Sequence, residues 1–229
     1  MDFSAFEQKI GVVFSNKQTL RQAFVHRSYL NENKNVGLAH NERLEFLGDA
    51  VLELVVTDYL FHRFPETDEG VLTSYRAALV NAITLSSASE ALGVNEFLLL
   101  SHGEKKDTGR ARQYILADAF EAITGAIYED RGYEAAKGFI ASTIFPRLDE
   151  VLKSGNWIDA KSRFQEAAQE NTGITPSYKT VRETGPDHDK HFTVGVFLAD
   201  VKVAEGDGKS KQEAEQEAAR NAIKEKGWM

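Results

Sequence analysis

The chain has 229 residues, with 27 Lys and Arg against 35 Asp and Glu, a formal net charge of -8 and no cysteine. The missing cysteine excludes a disulfide framework, a thiolate metal site and a cysteine nucleophile, and the acidic balance argues against a polyanion ligand unless cations are gathered locally. The opening MDFSAFEQKI lacks the basic and apolar stretches of a secretory signal and no segment offers about 18 uncharged apolar residues for a membrane span, so a soluble, cytoplasmic protein without a membrane partner is expected.

Taken in chain order, residues 1–152 read as helical throughout, with apolar positions at three- and four-residue spacing such as Leu44, Leu47, Val51, Leu54, Val55 and Leu60. Turn-forming clusters at Asn31 to Gly37, Pro65 to Gly70, Ser101 to Gly109 and Asp130 to Gly132 separate the helices. Residues 153–158, opening Lys153, Ser154, Gly155, Asn156, break the periodicity and read as a short linker. Beyond it, 159–229 read as a helix from Asp159 to Asn171, strands at Ser177 to Glu183, Phe192 to Leu198 and Val201 to Gly206, and a helix from Lys209 to Lys226. The expectation is a multidomain chain, an all-α domain followed by a small α+β domain of α-β-β-β-α order.

Two segments carry the chemistry. In HNERLEFLGDAVLEL, Glu42, Glu45 and Asp49 are spaced by three and four residues, so a helix puts them on one face among apolar neighbours. Clustered carboxylates in such a setting repel one another unless a cation neutralises them, although a solvated or salt-bridged stripe would have the same spacing. The second segment, ILADAFEAITGAIY, is the longest apolar helical stretch, and only Asp118 and Glu121 interrupt it with charge. These two must be paired, protonated or metal-bound. If the helices cross, the oxygens converge into a cage suited to Mg²⁺ or Mn²⁺. A di-iron bundle would require Glu-x-x-His pairs, which neither cluster has. No Gly-x-Ser-x-Gly is present, and His26, His40, His62 and His102 read as capping, core or surface residues.

HNERLEFLGDAVLEL and ILADAFEAITGAIYED resemble the two acidic segments of the ribonuclease III family. That resemblance implies an endonuclease hydrolysing double-stranded RNA with Mg²⁺, Mn²⁺ being able to substitute, and with no small-molecule cofactor. It implies 5′-phosphate and 3′-hydroxyl ends, two-nucleotide 3′ overhangs from a homodimer, and a place in ribosomal and messenger RNA processing. Glu45, Asp49, Asp118 and Glu121 are then the metal ligands, Asp49 and Glu121 being essential for cleavage; Glu42 and Glu69 line the same catalytic valley, and Phe46 contacts the partner subunit, with core packing as its plainer role. Tyr114 stands where the family often has Ser or another small residue. A non-catalytic RNA-binding scaffold is the alternative, but such a scaffold is free to lose the acids that are kept here. A hydrolase of small phosphate esters is disfavoured by the C-terminal region.

That region, with its GKSKQEAEQEAA segment, resembles a double-stranded RNA-binding domain, a module that reads A-form shape across two minor grooves. The resemblance assigns Lys209 and Lys211, opening the last helix, to phosphates; His188, in the loop from Gly185, to a minor groove; and Gln165, Glu166 and Gln169 to 2′-hydroxyls and base edges. Gln212 replaces a frequent lysine. Residues 1–159 carry a net -7 and residues 160–229 only -1, so binding must rely on local cations. Lys105, Lys106, Arg110 and Arg112 form the basic cluster of the first half and are expected in a loop near the RNA backbone.

Overall fold

The computed structural model describes residues 2–34, 36–106, 108–154, 160–186 and 190–228 and divides into two compact units, Met1–Trp157 and Ile158–Met229. His188 and most of the expected linker at 153–158 lie outside the described residues.

The first unit is built of helices. α1 (Ser4–Ile10), α2 (Lys17–Ala23) and α3 (Arg27–Glu32) lead to the long α4 (Glu42–Arg63), followed by α5 (Glu69–Leu79) and α6 (Ala82–Leu92). The short α7 (His102–Lys106) precedes the second long helix, α8 (Arg110–Arg131), and then come α9 (Tyr133–Thr143) and α10 (Leu148–Ser154). Burial is concentrated on α8, where every residue from Ile115 to Ile127 except Asp118 and Glu121 is buried. α4 packs Leu44, Val51, Leu52 and Val55 into the same core, and Ser89 of α6 donates its hydroxyl to the Leu116 carbonyl of α8 at 2.7 Å. No helix among the described residues is long and apolar enough to cross a membrane.

Two local expectations are corrected. The stretch from Ser101 to Gly109 contains α7, so Lys105 and Lys106 stand on a helix, while Arg110 and Arg112 occupy the first turn of α8. Arg112 ties the two helices by donating from Nη2 to the carbonyls of Glu104 at 2.9 Å and Lys105 at 3.3 Å, groups that a helix C-terminus leaves unpaired. At the end of the unit, α10 runs through Lys153 and Ser154 instead of breaking before them.

The second unit has α11 (Ala160–Thr172), β1 (Ser177–Thr184), β2 (His191–Leu198), β3 (Val201–Gly208) and α12 (Lys211–Lys226), with an antiparallel sheet in the order β1-β2-β3. Phe164 and Ala168 of α11, Val196 and Leu198 of β2, and Ala218 and Ala222 of α12 form its core. The small residues let α12 lie almost on the sheet: a Cβ on Gly206 would collide with backbone atoms of Ala214 and Ala218. α12 begins later than the sequence pattern suggests. Ser210 is its N-cap, accepting from the Glu213 N–H at 3.2 Å, while the Glu213 carboxylate accepts from the Lys209 N–H at 2.9 Å. This reciprocal capping leaves Lys209 outside the helix and makes Lys211 its first residue.

Candidate active site

The start of α4 is pinned before any functional side chain is reached. Asn41 is buried; its backbone N–H donates to the Val25 carbonyl at 2.9 Å and its Nδ2 to the Ala23 carbonyl at 3.2 Å. From that anchor α4 crosses α8 at a pair of glycines. A Cβ on Gly48 would fall on the Glu121 carbonyl, and one on Gly125 would fall on the Leu44 carbonyl. Only hydrogen at both positions lets the backbones approach this closely, and carboxylates from the two helices are brought together as a result. Glu45, Asp118 and Glu121 each offer an oxygen within 4.8 Å of the others.

These three groups sit partly buried. Burial, followed by repulsion from Asp49, Asp118, Glu45 and Glu53, pushes the Glu121 carboxyl up to about 8. Burial and then Asp118, Glu42 and Asp49 push Glu45 up to about 7. Burial also raises Asp118, against an opposing pull from His26. Hard-oxygen donors at this spacing, each penalised for carrying its charge alone, are suited to a metal cation that would neutralise them.

The remaining expected residues lie around this centre at different distances. Asp49 is exposed and outside the close triplet, yet near enough to act on both glutamates. Glu42 is held between Arg27 at 3.7 Å and His40 at 3.6 Å. Glu69, in the first turn of α5, is not among the charges acting on the triplet; it lines a groove with Thr57, Phe61 and Arg76. Arg76 in turn holds Glu53 at 2.9 Å. Phe46, on the same α4 turn as Glu45, projects its ring into solvent at 80% exposure. In the second unit Gln165, Glu166 and Gln169 share the exposed face of α11, and Lys211 lies 3.3 Å from Glu183 with its ammonium 5.6 Å from the Phe192 ring centre.

Sequence reading missed Glu53 and His26. Glu53 follows Asp49 by four residues, so its helical spacing was the available signal. His26 reads from the sequence as a capping, core or surface residue; it does cap α3, accepting from the Ser28 N–H, and it also opposes the upward shift of the Asp118 carboxyl.

The ribonuclease-III-like family model matches residues 16–148, a span that contains both acidic helices, and the double-stranded RNA binding motif matches residues 160–226. The chain belongs to the ribonuclease III family. Ribonuclease 3 of Protochlamydia amoebophila is 44% identical over 96% of this chain and 90% of its own length, and that of Geobacillus sp. strain WCH70 is 46% identical over 96% and 89%. The nuclease domain of ribonuclease III from Campylobacter jejuni is 40% identical, with a TM-score of 0.58 over 63% of this chain and 99% of that domain. In this ribonuclease III family member the helical unit carries the carboxylate centre, and the unit with the three-stranded sheet carries the double-stranded RNA binding motif.

Proposed function

We propose that this chain is an endoribonuclease that hydrolyses phosphodiester bonds in double-stranded RNA at the Glu45, Asp49, Asp118 and Glu121 centre, with Mg²⁺ as the metal and Mn²⁺ as its substitute. The observation that carries the reading is the convergence of Glu45, Asp118 and Glu121 oxygens within 4.8 Å in a chain that also has the RNA-binding motif. A bound divalent ion supplies a polarised phosphate and an acidified water.

The protein's own part is to hold that centre. Glu45, Asp118 and Glu121 are its ligands; Asp49, at the rim, completes the set and with Glu121 is the group on which cleavage depends. Glu42, restrained by Arg27 and His40, lines the valley on one side, and Glu69, which shares a groove with Arg76, is assigned to the same valley by the family resemblance. Lys209, Lys211, Gln165, Glu166 and Gln169 bind the duplex, the lysines at phosphates and the α11 residues in the minor groove; His188 belongs to the same expectation. Division between the helical unit, whose last helix α10 ends at Ser154, and the unit that opens with α11 at Ala160 separates cleavage from capture.

The Campylobacter nuclease domain is described with a flexible region involved in dimer formation. A homodimer through the solvent-facing Phe46 accounts for an exposed ring beside a catalytic residue, and two centres so paired would leave two-nucleotide 3′ overhangs. Cytoplasmic processing of ribosomal and messenger RNA precursors is the setting this activity suits.

Incubating a long perfect RNA duplex with the protein and Mg²⁺, beside Glu121→Gln and a Ca²⁺ control, tests the reading through analysis of the product ends. Short duplexes with 5′-phosphates and two-nucleotide 3′ overhangs, lost in Glu121→Gln while RNA binding persists, are expected. Tight binding without cleavage in Mg²⁺ or Mn²⁺ would favour a non-catalytic scaffold instead.

A further inference from the structure

Residues 114–127 of α8 reach the surface along one strip, made of Tyr114, Asp118 and Glu121; the other residues of that span are buried. Seven residues on an α-helix return to within about 20° of the starting direction, so Tyr114 looks out on the same side as Glu121. A rise of about 1.5 Å per residue sets it about 6 Å along the axis from Asp118. Its ring is 46% exposed, so it does not serve the core.

One turn earlier, Arg110 donates from Nη2 to the Tyr114 hydroxyl at 3.3 Å, and its guanidinium carbon lies 5.8 Å from the ring centre. Arg110 has no carboxylate partner among the described residues. Within the same basic cluster Arg112 is committed to the carbonyls of α7. Arg110 therefore provides a cation on the carboxylate strip, in a region whose net charge of -7 otherwise repels a nucleic acid.

We propose that Arg110 and Tyr114 bind the ribose-phosphate backbone of the cleaved strand beside the scissile bond, the guanidinium taking a phosphate and the phenol a ribose 2′-hydroxyl. The inference rests on the endoribonuclease reading above. A guanidinium presents forked donors that match phosphate oxygens. The phenol accepts from Arg110 and retains its own O–H to donate. A 2′-hydroxyl both donates and accepts, and it is the group that distinguishes RNA from DNA. The pair therefore fixes the strand's register against Asp118 and Glu121 and adds a check that the nucleotide is a ribonucleotide.

The test is single-turnover cleavage, with Mg²⁺, of a short duplex cut at one site, compared with duplexes carrying one 2′-deoxy nucleotide at each position flanking that site. Tyr114→Phe should slow cleavage of the all-RNA duplex by about 3- to 10-fold, the worth of one hydrogen bond. At one flanking position the 2′-deoxy substitution should slow the unsubstituted protein to the same degree and Tyr114→Phe no further. Arg110→Gln should raise KM more than it lowers kcat and reduce the salt dependence of binding by about one phosphate contact. Equal rates for Tyr114→Phe and the unsubstituted protein, or losses that multiply at every position, would overturn the proposal while leaving the nuclease reading intact. No cleavage by the unsubstituted protein would remove both.

Discussion

Gly48 and Gly125 meet backbone to backbone where α4 crosses α8, each in a space that a β-carbon would overfill. The contact sets the separation of Glu45 from Asp118 and Glu121, so packing and chemistry share a determinant. Gly125→Ala should destabilise the helical unit by about 1–3 kcal/mol through overpacking and weaken metal binding further than stability alone explains, because the helix carrying Glu45 must move away. Chemical denaturation together with Mg²⁺ titration by calorimetry checks both. Unchanged stability and affinity would mean that the crossing tolerates a wider separation.

Stability should depend on pH with a sign opposite to that of ordinary paired carboxylates. Glu121 is pushed up to about 8 and Glu45 to about 7 from a usual value of 4.5. In the unfolded chain these groups lose their protons near 4.5, whereas the folded chain keeps them until the raised values are passed. The folded state thus binds more protons between about 4.5 and about 8, so stability falls as pH rises through that window. Thermal melts in EDTA from pH of about 5 to about 8 should decline, and Glu121→Gln should flatten part of that decline. An identical decline in the variant would place its origin elsewhere.

A divalent cation should reverse the effect, since it binds the deprotonated centre of the folded chain and not the unfolded one. Saturating Mg²⁺ is expected to raise Tm most at the alkaline end. Asp118→Asn should remove most of the rise, and Asp49→Asn less of it, because Asp49 lies outside the close triplet. Equal losses in the two variants would put Asp49 on the same footing as the inner ligands.

Much of this site is legible because helical spacing is a strong signal: Asp118 and Glu121 stand out as the charged residues of an apolar stretch, and spacing together with the family resemblance points to every member of the triplet. What could not be read is which helices cross, since Gly48 and Gly125 look like ordinary helix residues until their neighbours are known. Tertiary contacts likewise explain the local misreadings. α7 persists between turn-formers because Arg112 reaches back to its carbonyls, and α12 starts at Lys211 because the Ser210 and Glu213 caps outweigh the helix propensity of the preceding lysine. Glu69 illustrates the same limit, for its position follows from the placement of α5.

Lys211 should report on phosphate binding without touching catalysis. It is exposed in the first turn of α12, with its ammonium 3.3 Å from the Glu183 carboxylate, a surface pair that a phosphate can replace. Lys211→Gln is expected to weaken binding of duplexes of any sequence and to lower the slope of log affinity against log salt by about 1. Electrophoretic mobility shifts with Ca²⁺ in place of Mg²⁺, over a range of salt, measure this. A sequence-dependent loss would point to base contacts instead.

Phe46 gives the sharpest test of assembly. A ring that is 80% exposed contributes little to the packing of its own subunit, and Leu54 at 58% and Phe61 at 65% extend the apolar surface of α4 beyond it. Exposed aromatic surface of this kind marks an interface with another protein. Phe46→Asp should therefore convert a dimer to monomers in sedimentation velocity, as a buried carboxylate at the contact would be strongly unfavourable. Because the residue is not in its own core, the helical content of the separated subunit should be preserved by circular dichroism, and duplex capture by the second unit should survive. Paired cuts should give way to slow single-strand nicks. A variant that remains dimeric would move the contact away from α4, and one that unfolds would return Phe46 to the core that its exposure argues against.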